Sequence, residues 1–257
     1  MKKQKDLIVA ARKKKELFLL EDETYRRSEL LFHRQFTGRY IGDIVYGAND
    51  GVITTFAVIA GAVGASFSPS VVVILGFANL LADGISMGAS NYLGIRSEED
   101  YAKRQREKED WEIDNLRELE VEEIKEIYTR KGFTGKDLDR AVEIIISNRK
   151  VWLDTMMLEE LGIVEDPNDD PKKHGLITFA AFAAAGFVPL FPYLFSFPNA
   201  SIYAAVVSAL TLFLVGAARS FVTTVGWFRG GLEMLLVGSA AAGVAFFVGA
   251  FIEGLIR

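Results

Sequence analysis

The charges of this 257-residue chain are sorted along the sequence, and that sorting limits the folds open to it. Residues 43–93 contain no lysine or arginine and only three acids, and residues 174–257 contain five charged residues. Between these blocks, residues 94–173 carry 15 basic and 23 acidic residues, whereas residues 1–42 carry 11 basic and 6 acidic ones. Two long apolar blocks around a charged block exclude a soluble globule, a disordered chain and a collagen-like fibre.

The two apolar blocks are long enough for five membrane-spanning helices, because about 20 apolar residues cross a bilayer core. The sequence predicts spans at residues 42–65, 70–93, 175–196, 201–225 and 231–256. Lipid offers the backbone no hydrogen-bond partners, so each span is expected to be helical. The predicted fold is an all-α membrane protein. It has a basic leader (1–41), spans one and two (42–93), a helical insert (94–173) and spans three to five (174–257).

Basic residues predict the orientation, because they mark the cytoplasmic side of membrane proteins. The leader is rich in them, and Arg219 and Arg229 flank the turn before the fifth span. The turns at 66–69 and 197–200, on the opposite side, have none. We therefore expect a multi-pass integral membrane protein with a cytoplasmic N-terminus and a cytoplasmic insert, and with the C-terminus on the far side. The leader shows no signal-peptide pattern and is expected to lie against anionic lipid.

The first two spans are dense in small residues, which let membrane helices approach closely. These are Gly47, Ala48, Gly51, Ala60, Gly61, Gly64, Gly84, Gly88 and Gly94. Ordinary helix packing would explain them. The alternative is that the first two helices line a narrow path or pack against a second copy of the chain.

Acids occur at helical spacing within the insert, which is predicted to form several helices. Glu109 and Glu112 are three residues apart, as are Glu120 and Glu123, and Glu160 lies within a turn of Met156 and Met157. Neighbouring carboxylates repel on a helix, and a bound divalent cation would offset that repulsion. A solvated acidic face is the alternative, and the methionines suit a hydrophobic core as well as a metal. The chain has no cysteine and two histidines, which excludes thiolate and His-rich metal sites.

Three acids lie inside the first two predicted spans, where ionisable side chains are costly and commonly functional. Asp43 and Asp50 are two helical turns apart and share a side of the first helix. Asp83 stands between Asn79 and Met87 in a stripe at four-residue spacing. Without a lysine or arginine in either span, a cation or a proton is the expected partner. Asp43 could instead be an interfacial group, and structural hydrogen bonding could account for the deeper acids.

Three stretches resemble one family. These are DIVYGANDGVITTFA at 43–57, LADGISMGA at 81–89 and WLDTMMLEELG at 152–162. They resemble, in order, the first helix, the second helix and the end of the cytoplasmic metal-binding domain of the vacuolar iron transporter family. That family also has five spans with a long insertion after the second. The resemblance runs from about Arg39 to the C-terminus.

The resemblance implies a homodimer that exports ferrous iron in exchange for protons, along a path between paired first helices. Asp50 would be the pore carboxylate beside Met87, and Asp43 would sit at the cytoplasmic mouth. The implied cytoplasmic metal cluster comprises Glu109, Glu112, Glu120, Glu123, Met156, Met157 and Glu160. One departure is Asn79, where family members commonly have a glutamate. Asp83, one turn away, is expected to substitute for that glutamate.

The leading interpretation is therefore a transporter of divalent metal and not an enzyme. Carboxylate and thioether ligands suit Fe²⁺ first and Mn²⁺ second, and affinity order would also admit Zn²⁺ or Co²⁺. No prosthetic group is expected. Two alternatives are a membrane-anchored metal-binding or sensor protein without transport, and a membrane di-iron oxidase. The second needs Glu-x-x-His pairs that the chain lacks. The acidic insert argues against binding of nucleic acid.

Overall fold

The computed structural model of the protein describes residues 35–166, 169–221 and 223–256, and within them every regular element is helical. The helices are α1 (Gln35–Gly64), α2 (Pro69–Asn115), α3 (Arg117–Arg130), α4 (Gly135–Ile146), α5 (Arg149–Glu159), α6 (Pro171–Phe187), α7 (Phe191–Leu194), α8 (Ala200–Ala218) and α9 (Trp227–Ile256). Most of the basic leader lies outside the described residues, so its predicted contact with lipid stays a prediction.

Five helical stretches are long and apolar enough to cross a membrane, as the sequence predicted. They are Gly38–Gly64, Pro69–Asn115, Pro171–Leu194, Ala200–Phe221 and Trp227–Ile256. The turn between the first two is at the predicted place, and Ser66 adopts a left-handed backbone with φ of 56°. The second helix continues beyond the predicted span, without a break, to Asn115. The chain is therefore a multi-pass integral membrane protein.

The third and fourth spans differ in detail from the prediction. The third changes from α6 into a short 3-10 turn at Val188–Leu190 and then into α7. Pro189 and Pro192 lack a backbone N–H and cannot continue an undistorted α-helix, which explains the change. In the fourth span, α8 ends at Ala218 and passes into a 3-10 turn, so the α-helix is shorter than the predicted span of 201–225.

Glycines of the first two spans bring the helices into backbone contact within one chain. A Cβ on Gly47 would lie 2.6 Å from the carbonyl oxygen of Thr178, and one on Gly88 would lie 2.7 Å from that of Gly175. A Cβ on Gly64 would lie still closer to the backbone of Phe246 in α9, 2.2 Å from its carbonyl oxygen. Gly47, Gly64 and Gly88 therefore take part in ordinary helix packing, whereas a Cβ on Gly94 would meet nothing within 4 Å. The alternative, in which the first two helices line a path or pack against a second copy, stays a prediction.

The described chain divides into two compact units, one of the five spans and one of residues 92–171. The second unit has a hydrophobic core that includes Ile113, Ile124, Val142 and Trp152. The unit consists of several helices, as predicted, and Gly132 and Gly162 adopt left-handed conformations after α3 and α5.

The sequence TGKD at 134–137 fits a capping box, which predicts that the Thr134 side chain caps a helix. The α4 helix does begin after Thr134, but the Thr134 side chain makes no capping hydrogen bond. The side chain of Asn148, in contrast, accepts hydrogen bonds from the backbone N–H groups of Lys150 and Val151 and caps α5. The sequence prediction had not identified this cap.

Candidate metal sites

Three glutamates of the 92–171 unit converge on one point. Glu109 and Glu112 share a face near the end of α2, and Glu120 lies in the first turn of α3. The break at Leu116 separates the two helices and turns Glu120 toward the other two side chains. One carboxylate oxygen from each lies within 4.8 Å of the others. A single cation at an ordinary metal–oxygen distance of about 2.0–2.6 Å fits among three oxygens so spaced.

Two of these carboxylates are buried with an oxygen unused. Glu109 is 1% exposed and Glu120 is 2% exposed, and Oε2 of each makes no hydrogen bond within the protein. Lys108 supplies some positive charge, because its Nζ lies 2.8 Å from Glu112 Oε2 and 3.7 Å from Glu109 Oε1. Burying a carboxylate oxygen without a donor is costly, and a metal ion would satisfy it. This observation favours an ion site over a solvated acidic face.

The electrostatics of the cluster agree with its geometry. Burial raises the pKa of Glu120 to about 7, and repulsion from Glu123, Glu109, Glu112 and Glu160 adds to the effect. Burial likewise raises the pKa of Glu123 and of Glu160, each with a smaller contribution from neighbouring glutamates. Glu123 and Glu160 therefore lie within electrostatic range of the three convergent glutamates. Near neutral pH the cluster can hold either a proton or a cation.

The two methionines that the sequence associated with this site are both buried. Met156 is fully buried in the hydrophobic core of the unit, and Met157 is 2% exposed. The core accounts for the position of Met156, so a thioether ligand from either residue stays a prediction. The sequence left this choice between core and ligand open, and the fold gives Met156 a clear packing role.

Inside the spans, Asp50 and Asp83 are half-buried and close enough to repel each other electrostatically. Asn79, one turn before Asp83, has its Nδ2 buried and without a hydrogen-bond partner in the protein. Met87, one turn after Asp83, is partly buried against the apolar packing that includes Phe182. The stripe predicted from spacing therefore has Asp83 between an amide and a thioether, with Asp50 of the first span near enough to repel it.

Asp43 lies in a different environment, a hydrogen-bonded ring of four residues from three spans. Asn91 donates from Nδ2 to Asp43 Oδ1 at 2.7 Å and to Thr178 Oγ1 at 2.7 Å. The Thr178 hydroxyl donates to the backbone carbonyl of His174 at 2.8 Å. His174 Nδ1 lies 2.6 Å from Asp43 Oδ2 and completes the ring.

The sequence prediction missed Asn91, Thr178 and His174. The contacts of Asn91 and His174 with Asp43 join residues 48 or more positions apart along the chain, and sequence periodicity cannot predict such contacts. One signal was available, since a histidine at the very start of an apolar span is unusual in a chain with only two histidines. The rarity of histidine excluded His-rich sites but left a single structural histidine unconsidered.

Together these groups offer two kinds of chemistry for a divalent cation. The glutamate cluster provides several oxygens with little competition from protein donors, which suits capture of an ion. The acids of the spans occur singly or as one pair, which suits brief contact with an ion or a proton.

Several known proteins are similar to this chain over most of its length. The sequence matches the profile of the VIT family over residues 41–250. It is 35% identical over 234 residues to a vacuolar iron transporter of Toxoplasma gondii, covering 86% of this chain and 77% of that protein. A vacuolar iron transporter of Plasmodium berghei is 36% identical over 86% of this chain and 85% of its own length. Vacuolar iron transporter 1 of Arabidopsis thaliana is 36% identical, with 83% and 86% covered.

Proposed function

Because the chain belongs to the VIT family and is a metal transporter, we propose that it moves ferrous iron out of the cytoplasm in exchange for protons. Manganese is the proposed second cargo. Family membership identifies the protein as a transporter and not an enzyme, and it favours neither the sensor nor the di-iron oxidase. Relatives named vacuolar iron transporter support iron as the cargo.

The observation that carries the proposal is the convergence of Glu109, Glu112 and Glu120, two of them with buried, unpartnered oxygens. We assign residues 94–173 as a cytoplasmic metal-binding domain on this basis. Its ligands are the three convergent glutamates, with Glu123, Glu160, Met156 and Met157 as further members. Oxygen ligands with a thioether suit Fe²⁺ or Mn²⁺ better than Mg²⁺ or Ca²⁺. Zn²⁺ and Co²⁺ are expected to compete.

The transport path is proposed to use Asp50 as its principal carboxylate, with Asp83 and Met87 from the second span. Asp83 takes the place of the glutamate that Asn79 replaces. Two carboxylates that repel each other favour the binding of a cation or a proton between them. A proton arriving from the acidic side would therefore compete with the metal and release it. Asp43 is proposed to meet the metal at the cytoplasmic mouth.

The remaining assignments follow from the sequence and the family. We propose that the N-terminus and the insert are cytoplasmic and that the C-terminus lies on the opposite side. We also propose that the transporter is a homodimer with its metal path between paired first helices. Its partners are then the lipid bilayer, divalent metal ions and protons.

Metal flux in proteoliposomes tests the proposed function. The full-length protein is reconstituted, a pH gradient is imposed, and entry of Fe²⁺ is followed alone and in competition with Mn²⁺, Zn²⁺ and Co²⁺. We expect Fe²⁺ influx when the vesicle interior is acidic and little influx when the gradient is collapsed by an ionophore. Metal binding without flux under either condition would favour the sensor and contradict transport.

A further inference from the structure

Asp43, Asn91, Thr178 and His174 form a ring in which only Asp43 has a role in the function described so far. It lies in the membrane unit, and it joins the start of the first span to the end of the second and the start of the third. Thr178 is fully buried and His174 is 6% exposed, whereas Asp43 and Asn91 are partly buried. Buried polar networks of this kind rigidify a structure when every member is satisfied.

The chemistry of the ring fixes which atom donates each hydrogen bond. A carboxylate accepts hydrogen bonds and does not donate them, so His174 donates from Nδ1 to Asp43 Oδ2. Asn91 donates to the other oxygen, Oδ1. Each oxygen of Asp43 thus receives one donor from a different helix, and each keeps a lone pair for a further partner. The two hydrogen bonds, one to each oxygen, therefore fix the orientation of the carboxylate plane.

The helices around the ring are held at a fixed separation. Gly47, one turn beyond Asp43, touches the backbone of Thr178, and Gly88, one turn before Asn91, touches the backbone of Gly175. The Tyr40 ring, which is 1% exposed, lies against the His174 imidazole with 4.6 Å between ring centroids. These contacts leave the imidazole little freedom to turn away from Asp43.

We propose that His174 is a positioning residue, which with Asn91 holds the Asp43 carboxylate in the orientation that receives the metal. The inference rests on the proposed function, since it concerns the first carboxylate that the metal meets in the membrane. A ligand whose orientation is set by hydrogen bonds binds a metal more tightly than a free one. Loss of such a supporting partner commonly weakens metal affinity by about 10-fold to 100-fold.

The test separates the hydrogen bond from the packing of the ring with two variants. His174→Phe keeps an aromatic ring against Tyr40 but removes the Nδ1 donor. His174→Asn removes the ring but places an amide N–H close to the position of Nδ1. Both are reconstituted in proteoliposomes as full-length protein, and Fe²⁺ flux is measured over a range of Fe²⁺ concentrations.

We expect His174→Phe to raise the apparent KM for Fe²⁺ by about tenfold while the maximal rate is retained. His174→Asn is expected to restore most of the affinity. A purely structural role for the imidazole predicts the reverse order, with the Phe variant tolerated and the Asn variant impaired, and that result would overturn the proposal. An unchanged KM in both variants would overturn it as well.

A second measurement does not require transport. The melting temperatures of Asp43→Asn, His174→Phe and the double variant are compared in detergent. If the hydrogen bond exists, the effects of the two single changes are not additive. Additive effects would contradict the contact on which the positioning role depends. Wild-type protein that moves no metal would instead overturn the proposed function, and a defect confined to the His174 variants is readily distinguished from that outcome.

Discussion

The acids of the 92–171 unit and the acids of the first two spans lie in different environments. In the unit, Glu109, Glu112 and Glu120 come together, and two of them keep a buried oxygen with no donor from the protein. In the spans, Asp43 has a hydrogen-bond partner on each oxygen, while Asp50 and Asp83 form a single repelling pair.

This difference matches two separate requirements of transport. Capture of a scarce ion needs several ligands at once, which the glutamate cluster offers. Passage through a membrane needs sites that bind an ion and then release it, which single carboxylates or a pair can do. A cluster as rich as that of the insert would hold its ion too firmly within a path.

Substitution of Asp50 should reduce transport more than any other change while leaving the glutamate cluster intact. We expect Asp50→Asn to reduce Fe²⁺ flux in proteoliposomes to the level of protein-free vesicles, because the carboxylate pair of the proposed path is lost. Binding of metal to the detergent-solubilised full-length protein should persist, since the glutamate cluster is untouched. Glu253→Gln is the matched control, an acid near the end of the fifth span whose hydrogen bond from Ser66 an amide can still accept. Near-normal flux in well-folded Asp50→Asn protein would remove Asp50 from the mechanism.

The complementary change is Glu120→Gln, which removes one charge from the cluster and leaves the spans intact. Apparent affinity for Mn²⁺ or Fe²⁺, measured by calorimetry on the full chain, should fall at least about tenfold, a loss that even indirect support of a ligand commonly produces. The exposed Glu143, paired with Arg140, gives the control Glu143→Gln. Equal binding by both variants would mean that the acids form only a solvated face.

Protons compete with metal for the glutamate cluster, so both metal binding and protein stability depend on pH. The raised pKa of Glu120 determines the direction of each effect. The pKa of Glu120 in the folded protein is about 7, above its ordinary value of 4.5. Between these values the folded state holds a proton that the unfolded state releases, so the metal-free protein loses stability as pH rises from about 4.5 to about 7. A bound metal replaces that proton and removes this loss of stability with rising pH.

We therefore expect the metal affinity of the wild-type protein to rise by about tenfold between pH 6 and pH 8, the change in the ionised fraction of one group with a pKa near 7. Glu120→Gln should flatten this rise. Calorimetry at several pH values provides the measurement, and buffers of different ionisation enthalpy report proton release directly. An affinity independent of pH in the wild type would contradict proton displacement at this site.

The two regions also differ in how much of them the sequence could predict. Length and hydropathy predict the five spans, because crossing a bilayer demands about 20 apolar residues whatever the packing. Spacing predicts that Glu109 and Glu112 share a face, since that relation is local to one helix. Their convergence with Glu120 depends on the break between α2 and α3 at Leu116, and the spacing of residues in the sequence does not predict that break.

Contacts between distant segments were the least predictable part. Asp43 and His174 are 131 residues apart, and they meet because glycines bring the first and third spans into backbone contact. The glycine pattern was visible, but a small residue indicates close approach without naming the partner helix. The break in the third span was also missed, although Pro189 and Pro192 were present to signal it.

Substitution of Asp83 tests whether the two paired carboxylates of the spans, Asp50 and Asp83, have separate tasks. Asp83 and Asn79 are one turn apart on the same helix, and a displacement of four residues moves a side chain about 6 Å along the axis. If Asp83 replaces the glutamate missing at position 79, Asp83→Asn should reduce the dependence of Fe²⁺ flux on the pH gradient several-fold. Metal binding by the glutamate cluster should be unchanged, since that cluster is built from other residues.

The double change Asn79→Glu with Asp83→Gly restores a carboxylate one turn earlier and should recover much of the coupling. Flux is measured in proteoliposomes with and without an imposed gradient, for the wild type, the single variant and the double variant. Asp83→Asn protein with full proton-coupled flux would make Asp83 a packing residue and shift the proton site to Asp50. Recovery in the double variant, in contrast, would show that proton exchange requires a second carboxylate near Asp50 and tolerates its movement by one turn. The path would then depend on the number of charges near Asp50 more than on their exact geometry, whereas the glutamate cluster depends on the convergence of particular oxygens.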